Sequence, residues 1–152
     1  MKKLFILVIC AAALCACASV KGMQESVNCK YNLAGVEVTD AGFSNVTMNV
    51  GMAVTNNSKT NTASMNRFEG RLFINDIDVS AVSFGAYEVL PSSTSVVKTT
   101  LNIPIANIGK NIAGLVAANS ISLKYKIVGK IYFDTPLGQI PFPIVVEPQI
   151  KK

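Results

Sequence analysis

Between Asn45 and Thr55 the chain alternates without a break: Val46, Met48, Val50, Met52 and Val54 take every second position, with Asn45, Thr47, Asn49 and Thr55 opposed to them. Successive side chains of a strand point to opposite faces, so this period makes one face apolar and leaves the other wet. A segment of this kind must lay its apolar face against a second layer, which the rest of the chain has to supply.

The same period returns near the C-terminus. Ile121, Leu123, Tyr125, Ile127, Ile131 and Phe133 share one face, opposed by Ser122, Lys124, Lys126, Lys130 and Asp134. Tyr31 to Thr39, Arg67 to Asn75, Val79 to Val89, Ser95 to Ile105 and Gln139 to Val146 are further strand candidates, separated by Gly, Asn, Asp, Ser and Pro clusters. Seven short strands at this spacing predict an all-β chain, an antiparallel sandwich of two sheets with Val50, Leu72, Leu101, Leu123, Ile127 and Phe142 inside. Asn75-Asp76-Ile77-Asp78 and Asp134-Thr135-Pro136-Leu137-Gly138 carry hairpin turn chemistry. One helix is predicted over Asn107 to Ala118, with Asn107 as N-cap and Ile108, Ile112, Leu115 and Val116 as its apolar stripe. Gly109 and Gly114 weaken it, so it needs packing across an open end of the sandwich.

The N-terminus reads differently. Met1-Lys2-Lys3 is a positive start, and the apolar run Leu4 to Leu14 would reach only about 17 Å as a helix at ~1.5 Å per residue. A bilayer core is roughly 30 Å thick, so the run is too short to cross it and fits a secretory signal peptide. It ends in Leu14-Cys15-Ala16-Cys17, which resembles the bacterial lipobox. That resemblance implies cleavage between Ala16 and Cys17 and lipid on the Cys17 sulfur, and two or three acyl chains make a stable anchor. Ala16-Cys17-Ala18 also fits an ordinary signal-peptidase site, which would release a soluble chain beginning at Ser19. The expected organisation is a leader over 1–16, a polar tether over 17–28, one β domain over 29–148 and a tail over 149–152.

Half of the residues are apolar and only 15% are charged, enough material for one core and unlike a disordered chain. The formal charge of +5 includes Lys2 and Lys3, which leave with the leader. The weak basic bias that remains, without a clustered basic face, gives no support to nucleic-acid binding. Lys21, Lys30, Lys151 and Lys152 could still be drawn to anionic head groups.

Chemistry is harder to assemble. The chain has no histidine, which removes the commonest general base near neutral pH and the commonest metal ligand. Of four cysteines, Cys10 and Cys15 leave with the leader and Cys17 is expected to be acylated, so Cys29 remains as a tolerated free thiol. Asp76 and Asp78, with Asn75, offer too few oxygens for calcium and read as a turn. Met48 and Met52 fall on the core face, where packing accounts for them. Lys124, Lys126 and Lys130 form a stripe that reads as a solvated face discouraging edge pairing, with an acidic glycan or lipid head groups as the alternative partner. No catalytic residue, cofactor or metal is expected.

With the strands placed, the order of landmarks resembles the WHy domain, the second subgroup of late embryogenesis abundant proteins. They are Val54-Thr55-Asn56-Asn57-Ser58, Phe68-Glu69-Gly70-Arg71-Leu72-Phe73-Ile74-Asn75, Leu90-Pro91-Ser92-Ser93-Thr94, Tyr125-Lys126-Ile127-Val128-Gly129-Lys130-Ile131 and Thr135-Pro136-Leu137-Gly138-Gln139-Ile140-Pro141-Phe142. The family often has Asn-Pro-Asn where this chain has Asn56-Asn57-Ser58. The resemblance covers about Tyr31 to Val146 and implies a sandwich of the fibronectin type III sort, a link to desiccation and stress responses, and no catalytic residues. The expected protein is a lipid-anchored, non-catalytic protective or interaction module of the bacterial cell envelope, on the outer membrane where there is one. Its partners would be the membrane, through Cys17, and envelope proteins or lipid. A carrier holding an acyl chain between the sheets is the second reading.

Overall fold

The computed structural model describes residues 23–117, 123–135 and 138–148. The leader, Cys17, Lys21, Ala118, Asn119, Ile121, Ser122, Pro136, Leu137, Lys151 and Lys152 lie outside the described residues, as do the side chains of Ile112 and Leu115. A short helix, α1, covers 23–28. The strands are β1 (Lys30–Ala41), β2 (Asn45–Thr55), β3 (Ala63–Met65), β4 (Arg67–Ile74), β5 (Ile77–Phe84), β6 (Tyr87–Val89), β7 (Thr94–Pro104), β8 (Tyr125–Thr135) and β9 (Gly138–Pro148), with α2 (Ile105–Ala117) between β7 and β8.

Seven strands form one mixed sheet in the order β5-β4-β8-β9-β1-β2-β7, and β3 pairs with β6 separately. The expected seven strands in two purely antiparallel sheets are corrected on two counts. β9 runs antiparallel along β8 and then meets β1 in parallel at Asn32↔Glu147 and Leu33↔Pro148, which joins both halves into one sheet. The outer strands β5 and β7 come back against each other, so that sheet is nearly closed. The predicted strand Val79 to Val89 is two strands, because the chain leaves the sheet at Gly85-Ala86 and β6 turns to pair with β3.

The alternation holds where it was strongest. Val46, Met48, Val50, Met52 and Val54 are all buried, and Leu123, Ile127, Ile131 and Phe133 form the matching inward face of the β8 region. Leu72 and Leu101 are inside as well, whereas Phe142 is only half-buried. It points inward with Ile144 and Val146, but β9 sinks into the core only toward Val146, and its first half runs along the rim. Asn75 and Asp76, at φ 50° and 64°, make the two-residue turn that joins β4 to β5, the left-handed pair that matches strand twist and favours Asn and Asp.

Gly70 lies opposite Gly129 in the β4–β8 ladder, both on the inward face. The Phe68 ring fills the space above them and meets Phe84 with centroids 5.7 Å apart. A Cβ on Gly70 would come within 2.6 Å of the Val128 carbonyl oxygen and 2.9 Å of Phe68 Cζ, and one on Gly129 within 2.5 Å of the same ring carbon. The glycine pair is therefore the floor on which the ring rests.

The helix starts at Ile105, directly after Pro104 ends β7, and not at Asn107. Asn107 is no N-cap: its Nδ2 donates to the Val79 carbonyl at 3.3 Å and pins the helix to β5. Gly109, at φ 72° and ψ 151°, breaks the helix into two segments, and Ile108 and Val116 are buried on either side of the break. The described part of the expected tether is also structured: α1 packs on the domain with Ser26 fully buried, so the folded part begins before Cys29.

Two outcomes test this packing. Gly129→Ala overfills a closed space and is expected to cost about 1–3 kcal/mol or more, and Leu72→Ala should cost about 2–5 kcal/mol. Urea unfolding reads both, and a Gly129→Ala midpoint equal to wild type would refute the packing described for Phe68.

Candidate functional site

Sequence reasoning singled out one surface, the lysine stripe of β8. The structure places Lys124 and Lys130 in solvent and Lys126 half-buried on the outer face. It does not leave them as an unopposed cationic row. Lys126 Nζ lies 3.0 Å from Asp76 Oδ1 and 5.5 Å from the Phe73 ring centroid. Lys130 sits opposite Glu69 in the ladder. At Lys124 the backbone amide donates to Asn75 Oδ1 at 2.9 Å, and its carbonyl accepts from the Asn75 amide.

β4 adds two cations that the stripe did not anticipate. Arg71 reaches both carboxylate oxygens of Asp78 at 2.9 Å from Nε. Arg67 lies 3.0 Å from Glu69, stacks 4.5 Å from the Tyr132 ring centroid and donates to Gln139 at 2.9 Å. The signal was present in the Arg67, Glu69, Arg71 alternation, but periodicity names a face and not the neighbouring strand. Asp76 and Asp78, weighed as calcium ligands, thus face Lys126 and Arg71. All these groups are substantially exposed, so each pair contributes at most about 1 kcal/mol, less than the burial of one core leucine at roughly 1.5–3 kcal/mol. The face is a mixed-charge surface that orders itself weakly and can exchange its partners.

A second cluster, buried at Ser26 and Tyr87 and half-buried at Glu25, Tyr31 and Asn61, fastens α1. Ser26 Oγ donates to the Ser64 carbonyl at 2.6 Å. Tyr31 donates to the Ser26 carbonyl at 2.6 Å, and the Tyr87 hydroxyl donates to that of Tyr31 at 3.1 Å. Asn61 donates to Glu25 at 2.8 Å. Burial raises both tyrosines well above their ordinary value, and at Tyr87 the neighbouring Tyr31 adds to the rise. Burial, with a smaller effect from Glu25, pushes the Cys29 thiol up to about 11. The thiol therefore stays protonated near neutral pH, a poor nucleophile.

An acyl carrier would need free space between the facing parts of the sheet. That space is filled by Phe68, Met48, Met52, Leu72, Ile74, Ile103, Ile127 and Ile131, each less than 2% exposed. A depression of about 640 Å³ opens on the surface beside Asn32, Ala34, Ala53, Thr94 and Pro148, and another of about 400 Å³ beside Leu123, Lys126 and Glu147. Both lie open to solvent around the β1–β9 junction.

No protein-family model matches the sequence, and no curated protein matches it. Among solved structures the fold is similar to that of an Arabidopsis thaliana protein determined in solution, with a TM-score of 0.50 and 15% identity over 80% of this chain and 83% of that one. It is also similar to a candidate late embryogenesis abundant protein determined in solution (TM-score 0.48, 13% identity, 99% and 88% covered) and to a crystal structure of an Archaeoglobus fulgidus protein (TM-score 0.45, 14% identity, 80% and 98% covered). At such identities the likeness to the Arabidopsis protein shows a common fold alone.

The buried acids fix the sign of a pH effect. Groups whose folded pKa is raised stabilise fully below the unfolded value and lose that contribution as pH climbs through the folded value. For Cys29 the window runs from 9.0 to about 11, and the tyrosines begin their loss at 10.0. Stability is expected to hold from neutral pH to about pH 8.5 and to fall steeply by about pH 10.5. Urea midpoints across this range check it, and an unchanged midpoint on the alkaline side would contradict the buried cluster.

Proposed function

We propose that this chain is a non-catalytic lipoprotein of the bacterial cell envelope, anchored by lipid on Cys17, whose WHy-like domain protects the envelope during desiccation or osmotic stress. In this reading the nearly closed sheet is a variant of the fibronectin type III-like sandwich. The observation that carries it is how the landmarks of the resemblance meet in space. The Gly70 segment pairs with the Gly129 segment. The Asn56 amide donates to the Ser93 carbonyl at 2.9 Å, Ser92 to Ser58 at 2.8 Å, and Asn56 Nδ2 to the Val89 carbonyl at 3.0 Å. Motifs far apart in sequence thus serve one another, as parts of one inherited framework would.

A protective role also suits the surface. The β4–β8 face offers interspersed charges of both signs in weak pairs, which can be traded for contacts with many partners as water is withdrawn. The non-catalytic reading rests on the chemistry at hand: no histidine in the chain, a Cys29 thiol held protonated, and carboxylates set against cations and amides.

Two measurements test the proposal in order. Fatty-acid labelling and membrane partition are expected for the wild type and lost in Cys17→Ala, and labelling retained by that variant refutes the anchor. Cells lacking the gene should survive drying or salt shock less well than complemented cells, and equal survival refutes the protective role.

A further inference from the structure

The docking of α1 has a geometric consequence that rests on the anchored reading above. Met23 is held against one pole of the domain, where Glu25 meets Asn61 and Ser26 meets Ser64. Cys17 lies six residues earlier, and at ~3.3–3.6 Å per residue that stretch spans at most about 22 Å. β1 carries the chain from this pole to the opposite one, about 35 Å away for a strand of its length at ~3.3 Å per residue. The β1–β2 tip at that far pole bears Phe43, fully exposed, with Ser44 accepting from the Ile105 amide at the start of α2. A lipid on Cys17 cannot reach a bilayer placed against the far pole while α1 stays docked.

We propose that in the anchored protein the pole formed by α1, residues 56–62 and the turn 90–93 faces the lipid surface, and that Phe43 is held away from it. The near pole has chemistry suited to lipid. Leu90 is 66% exposed, and Lys59 is exposed on a segment tied to the same turn by the Ser92 to Ser58 hydrogen bond. An apolar side chain with a lysine on the same pole fits the boundary between head groups and acyl chains. The hydrogen bonds of Tyr31, Ser26 and Asn61 are then a length setting as well as a packing feature. Releasing α1 would lengthen the leash to the thirteen Cα-to-Cα steps from Cys17 to Lys30, a reach of about 45 Å that no longer forbids inversion.

The test uses the full lipidated chain in vesicles of phosphatidylethanolamine and phosphatidylglycerol carrying a fluorescent acceptor on their head groups. A donor dye is placed at Leu90→Cys, Lys59→Cys or Phe43→Cys in turn; buried Cys29, with its thiol pushed up, stays unlabelled at neutral pH. Transfer from positions 59 and 90 should exceed that from 43 severalfold. Inserting about a dozen Gly and Ser residues between Gly22 and Met23 leaves the domain intact and should bring the values together, because a flexible linker of that length removes the restraint. Equal transfer from 43 and 90 in the uninserted protein, with the protein floating with the vesicles, overturns the orientation alone. Failure to float overturns the lipid anchor and the orientation with it.

Discussion

A contact two residues long joins this domain together. Asn32↔Glu147 and Leu33↔Pro148 are the described residues at which β9, committed to β8 for most of its length, touches β1. Without it the chain would hold two separate layers. With it the sheet is continuous and curls until β5 and β7 meet, enclosing Phe68, Ile127, Met48 and Met52 between its halves. So short a junction leaves strand edges on either side of it, and such edges invite pairing with other chains. Pro141 and Pro143 answer this on β9. Both lie opposite β8 residues in an unbroken ladder, so the positions where they lack an N–H must face away from β8, toward the open edge. On β1 the register shifts after Leu33 and Val38 kink the exposed continuation.

The sequence was most legible where burial differs between the two faces of a strand. β2 has the predicted bounds because an apolar residue takes every second position from Val46 to Val54 and both neighbours, β1 and β7, pair along it. Legibility fell where tertiary position overrode local pattern. Phe142 keeps the right phase but sits on a strand half that overhangs the core. β3 is three residues long, too short to show any period, and exists through its pairing with β6. The parallel junction had no signal in the residues, since periodicity assigns a face but is silent on partner and direction. The same limit separated the lysine stripe from the Arg67, Glu69 and Arg71 face beside it, and so hid the mixed charge of the surface.

The helix shows how a weak local signal can be right in kind and wrong in detail. Ile108 and Val116 were expected inside and are buried. Its start moved because β7 runs directly into helix at Ile105, and it is broken at Gly109, whose conformation is one that residues with a Cβ avoid. The break lets the segment change direction while both apolar residues reach the core. Gly109 is therefore better understood as a hinge in the path of the chain than as a defect in a continuous helix.

The N-terminal segment carries the sharper lesson, because composition read it as a tether. Ala18 to Asn28 is small, polar and aperiodic, and six helical residues are far too few for stability on their own. What holds α1 is supplied from elsewhere: Ser64 from β3, Asn61 from the preceding loop, and Tyr31 and Tyr87 from β1 and β6. Each of those partners is polar and unremarkable in its own segment, so no window of sequence reveals the assembly. The two phenolic hydroxyls are satisfied only in a chain that ends on Ser26, and leaving a buried donor unpaired costs about 1–3 kcal/mol. That cost makes undocking α1 a discrete event and not a gradual fraying. The folded domain therefore takes in α1, and where it begins depends on the Tyr31 and Tyr87 hydroxyls as much as on the composition of the segment itself.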